Sequence, residues 1–127
     1  MTAIGYRRVN RRLTTDEAAL VVWLLEHAAK GPQFHALVAA VANLRVVGEY
    51  EDGISVDFEP PDSPKTKDST RIAIGHAKSS LGVDLDVSLY GSPNAVVSLV
   101  VYDWAEGSTP FTLPKPSELR PTKWPAT

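Results

Sequence analysis

Three histidines, two closely spaced aspartates and a group of arginines are the side chains best placed to do chemistry in this chain. His27 and His35 flank Gly31-Pro32, so a turn there would bring both imidazoles toward Glu26. Two imidazoles and a carboxylate can hold a transition metal, but no pair has the His-x-x-x-His spacing that sets two ligands on one helical face. A His27 cation near a helix C-terminus, favoured by the helix dipole, is the simpler reading, and no metal site is expected. Asp84 and Asp86 on one strand would project from the same face about 6.6 Å apart. That separation suits an acid/base pair acting on a sugar. With His76 they are the alternative reading, a small hydrolase or transferase. Nothing around them supplies the burial that would hold a proton on one carboxylate, so a solvated acidic face is the stronger reading. The chain has no cysteine, which excludes a thiol nucleophile, a disulfide and a thiolate zinc site. Ser79 and Ser80 lack a Gly-x-Ser-x-Gly context, and Gly75-His76-Ala77-Lys78-Ser79 lacks the glycines of a phosphate loop. The expectation is a non-enzymatic protein with no catalytic residues, no cofactor and no metal.

Recognition is the chemistry that remains. Asp57, Glu59, Asp84 and Asp86 occupy alternate positions of two β-like runs, and Tyr50, Tyr90, Tyr102 and Trp104 lie on or near them. Acids steer the encounter with a basic partner, and low-entropy aromatics supply buried contact area. Asp57, Glu59, Asp84, Asp86, Tyr50 and Tyr90 are accordingly the expected partner-binding residues. The net charge of −2 conceals a segregation. Arg7, Arg8, Arg11 and Arg12 make residues 1–12 a basic arm, whereas 46–64 and 79–114 contain acids and neither Lys nor Arg. Acidic strand regions repel nucleic acid, so no nucleic-acid partner is expected. The arm is expected to fold back and salt-bridge to the acidic sheet.

The elements that position these residues are legible from periodicity. A chain of 127 residues fits one domain. Thr14 and Glu17 form a capping box that opens a first helix, with Leu20, Val21, Leu24, Leu25 and Ala28 as its apolar stripe and Gly31 as its stop. Pro32 opens a second helix ending near Asn43, with Phe34, Leu37, Val38 and Val41 inward. Strands are expected over 44–50 and 54–59, joined at Glu51-Asp52-Gly53, and over 71–77, with Ile72 and Ile74 inward. A proline-rich loop separates them at 60–69. Val83, Leu85, Val87 and Leu89 alternate with polar residues in the next strand, which turns at Gly91-Ser92-Pro93-Asn94 into a run ending near Trp104. Residues 105–127 form a Pro-rich tail, anchored by Phe111, Leu113, Leu119 and Trp124. The expected fold is α+β, with an N-terminal αα-hairpin packed on one face of an antiparallel sheet of about five strands. No apolar run approaches the ~18–20 residues of a membrane span and no secretory signal is visible, so a cytoplasmic protein without a membrane partner is expected.

The order of these features resembles a known group. Arg12-Leu13, Thr14-Thr15-Asp16-Glu17 and Leu24-Leu25-Glu26-His27 open the chain. Tyr102-Asp103-Trp104, Gly107, Pro110-Phe111 and Leu113-Pro114-x-Pro116-x-x-Leu119 close it. This resembles a family of small bacterial α+β proteins that look like immunity proteins of polymorphic toxin systems. The resemblance spans most of the chain and implies neutralisation of a cognate toxin, with a basic toxin domain as partner. It contains no functional motif and brings no site residues with it. A structural subunit or homodimer is the remaining alternative.

Overall fold

A computed structural model describes residues 6–50, 55–59, 70–78, 82, 84–92, 95–103 and 113–121. The architecture is α+β. The strands are β1 (Tyr6–Arg12), β2 (Arg45–Tyr50), β3 (Val56–Glu59), β4 (Thr70–Lys78), β5 (Asp84–Ser92), β6 (Ala95–Asp103) and β7 (Arg120–Pro121). They form one sheet in the order β1-β2-β3-β6-β5-β4-β7, with every neighbouring pair antiparallel. Seven strands thus replace the expected five. The additional pair are the basic arm, which is the edge strand β1, and the two-residue β7 from the tail.

Helix α1 (Thr15–His27) begins where the capping box places it. The Thr14 hydroxyl accepts from the Glu17 N–H at 3.1 Å, and Glu17 Oε1 accepts from the Thr14 N–H at 2.8 Å. Its far end comes earlier than Gly31 because the sheet claims the backbone. The Lys30 N–H donates to Ile72 at 2.7 Å, and Ile74 donates back to Ala28 at 3.3 Å. These bonds and β7 together cover the outer edge of β4.

Pro32–Asn43 is helical as expected, but it is a 3₁₀ rather than an α-helix. Bonds from Phe34 to Gly31 and from Leu44 to Val41 show the three-residue spacing at its ends. In a 3₁₀ helix, residues three apart eclipse, which normally limits such runs to a few residues. Here Ala36, Ala39 and Ala42 form one eclipsed, exposed row of methyl groups that crowds little, while Phe34, Leu37 and Val41 are buried.

Leu20, Val21, Leu24 and Leu25 of α1 are fully buried with Val46, Val56, Ile72, Val87, Leu89 and Leu99. Gly75 permits a close approach of α1 to β4: an added Cβ would stand 3.3 Å from the Trp23 ring and 3.4 Å from Leu24. Ile74 departs from the expectation. An irregularity between Arg71 and Ala73 puts it opposite Ser88, buried but outside the main core cluster. Strand β5 also runs through Gly91 and Ser92, which were expected to turn. The 51–53 turn, the 60–69 loop, Val83, Trp104, Phe111 and Trp124 lie outside the described residues. Among the described residues, no helix is long and apolar enough to cross a membrane.

Candidate functional site

Pairing register decides which side chains share a face. Leu85, Val87 and Leu89 oppose Ala77, Gly75 and Ala73, and all of these point toward α1. The alternate residues of β5, namely Asp84, Asp86, Ser88 and Tyr90, therefore point away from it. Asp57 pairs with Ser98, which pairs with Tyr90, so Asp57 and Glu59 share that face. Tyr50 joins them, because its hydroxyl reaches Asp57 at 3.2 Å. All six residues singled out from sequence thus lie on one face, and no described helix covers it.

Two rows cross this face. In the first, Asp57, Ser98, Tyr90 and Arg71 occupy successive paired positions of β3, β6, β5 and β4. Ser98 Oγ donates to Asp57 at 2.9 Å, and Arg71 Nη2 donates to the Tyr90 hydroxyl at 3.3 Å. The guanidinium also stands over the Tyr90 ring, 5.8 Å from its centroid, within cation–π reach. In the second row, Tyr102, Asp86, His76 and Arg120 are paired across β6, β5, β4 and β7. His76 Nδ1 lies 2.5 Å from Asp86 Oδ1. Beside that row, Lys78 Nζ approaches Asp84 at 3.6 Å. Among the described residues, Tyr50 and Tyr102 are the large hydrophobic side chains left most open, at 40% and 48% exposure.

The expectation of a uniformly acidic, inert face needs correction. The four acids stand on β3 and β5, while Arg45, Arg71, His76, Lys78 and Arg120 stand on the flanking β2, β4 and β7. The face is anionic along its middle and cationic along both margins. Sequence reasoning grouped His76 with Asp84 and Asp86 in the enzymatic alternative alone, and missed Lys78, Arg71 and Arg120 because long-range register is invisible in a single chain. The alternation of Ile74, His76 and Lys78 was the available signal.

The opposite side of the sheet carries a different charge cluster. Arg11 grips Glu17 with two nitrogens, at 2.8 and 2.9 Å, and donates its Nε to Glu49 at 2.9 Å. Arg7 also donates to Glu49. The arm is therefore salt-bridged as expected, but to Glu17 and Glu49 rather than to the candidate face. Hydrogen bonding to Glu17, outweighing burial, raises the Arg11 pKa. Burial opposes ionisation of Glu17, but the bonds from Arg11 and Thr14 overcome it and lower its pKa. Glu49 is lowered by its bonds from Arg7 and then Arg11.

His27 sits in the last turn of α1, its ring 5.4 Å from that of Trp23. Among the described residues, no group of three His, Asp or Glu is placed to hold a metal. A cleft of about 520 Å³ lies beside His76, lined by His76, Ala77, Lys78, Asp84, Glu118 and Arg120. It contains an oriented imidazole, as the alternative enzymatic reading requires, and among the described residues lining it none carries a hydroxyl or thiol.

The fold defines an α+β protein built on one antiparallel sheet. No protein-family model, curated protein or solved structure matches the chain.

Proposed function

We propose that this chain is a non-enzymatic protein-binding module that uses the sheet face opposite α1 to engage a basic protein partner. The supporting observation is the convergence of Asp57, Glu59, Asp84 and Asp86 with Tyr50, Tyr90 and Tyr102 on one face left clear by the described helices. Exposed tyrosines amid charged groups have the composition of an interface centre, and an anionic strip speeds encounter with a cationic surface. Basic margins would repel a partner docked out of register, which adds selectivity. The resemblance to immunity proteins supports a toxin domain as the partner, held in the cytoplasm as an inactive complex.

The test compares native co-purification by the wild-type chain and by the Asp84→Lys/Asp86→Lys and Tyr102→Ala variants. A basic protein retained by wild type, weakened by both variants and released by added salt supports the reading, provided unfolding midpoints are unchanged. Retention unaffected by either change removes this face as the interface.

A further inference from the structure

The cleft beside His76 holds a cation that the described residues leave unpaired. Asp86 is engaged by His76 at 2.5 Å and Glu118 by the Lys115 N–H at 2.8 Å, while Asp84 and Lys78 meet loosely at 3.6 Å. Among the described residues, the exposed Arg120 guanidinium has no hydrogen bond or ion pair. The Lys78–Asp84 contact is long and both side chains are about two-thirds exposed, so solvent screens it. His76 spends Nδ1 on Asp86, which fixes the ring and leaves Nε2 available to a ligand.

Arg120 follows the Pro116–Glu118 turn and is paired with His76 through β7. Lys78 lies two residues beyond His76 on the same strand face. Two cations and an imidazole from two strands thus border, with Asp84 and Glu118, one cavity of about 520 Å³, within the size range of small-molecule pockets.

We propose that this cleft binds a small phosphate-bearing ligand, with Arg120 as its main anchor. The guanidinium supplies a planar pair of donors to two oxygens, and the Lys78 ammonium supplies charge. A phosphate group brings more charge and more acceptor oxygens than a carboxylate, whose two oxygens the paired guanidinium donors would occupy alone. This site adjoins the protein-binding face, since Asp84 lines the cleft and Asp86 holds His76. Its ligand is a small anion, and Tyr50, Asp57 and Tyr90 do not line the cleft.

The test is NMR titration of the full chain with inorganic phosphate, following the side-chain signals of Arg120 and His76, with acetate in a parallel arm. The expected result is saturable shifts at both residues with phosphate, weaker binding of acetate, and a loss of about tenfold in phosphate affinity in Arg120→Ala. Arg120→Lys should fall between the two, and Arg45→Ala should bind as wild type. Equal, non-saturating shifts at all exposed arginines would overturn the proposal. So would acetate binding as tightly as phosphate, or an Arg120→Ala protein with unchanged affinity and an unchanged unfolding midpoint.

Discussion

The two charge systems on opposite sides of the sheet use similar residues for different ends. On the α1 side, Arg11 makes three bonds to two carboxylates, and Glu17 also closes the helix cap. Glu17 is only 6% exposed. On the other side, Asp86 and Asp84 each meet one neighbour across a half-open surface. The first system has little bonding capacity to spare and locks edge strand β1 to β2 and to the start of α1. The second keeps donors and acceptors within reach of solvent, where a partner can use them. Connectivity, rather than residue type, separates a structural ion network from a recognition surface.

The largest expected effect follows from breaking the closed system. Glu17→Ala removes the partner of a part-buried guanidinium and an N-cap contact together, and should cost about 3 kcal/mol in denaturant unfolding at neutral pH. Acid should act through the same groups. The folded-state pKa values of Glu17 and Glu49 are depressed, so their stabilisation is full above the ordinary carboxylate range and is lost as pH falls through the depressed values. Unfolding free energy measured downward from pH 7 should therefore decline in the acid range, and decline less steeply in Arg11→Met.

The open system should tolerate the same treatment. His76→Ala, which breaks the Asp86 pair, is expected to cost no more than about 1 kcal/mol, and Lys78→Ala about 0.5 kcal/mol or less. A loss near 3 kcal/mol at either position would place that side chain in the structural class and erase the contrast.

What sequence disclosed, and what it hid, follows the range of each interaction. The Thr14–Glu17 capping box and the alternation from Asp84 to Tyr90 are local signals, and both are realised. Strand β1 was hidden because its alternation is Arg7, Val9, Arg11 against Arg8, Asn10, Arg12, with one apolar residue to mark a buried face. Its inward arginines are neutralised by Glu17 and Glu49, partners distant along the chain or on another element. The 3₁₀ geometry of 32–43 was hidden because the three-and-four spacing of Phe34, Leu37 and Val41 is that of an α-helix. The candidate face was half legible. Alternation grouped Asp84 with Asp86 and Asp57 with Glu59, but only register brings the two pairs together and sets cations along their margins.

Self-association through β1 is disfavoured on similar grounds, since pairing two copies of this edge would bring exposed arginines together. Sedimentation at increasing concentration should accordingly show no dimer that disappears on replacing Arg8 and Arg12 with acids.

Hydroxyl-radical footprinting of the chain alone and in complex with its co-purifying partner bears most directly on the division between the two faces. Tyr50 and Tyr102, open in the isolated chain, should lose reactivity on binding, while Trp23 on α1 keeps its own. Protection of Trp23 with Tyr50 and Tyr102 unchanged would place recognition on the helical side and contradict the assignment.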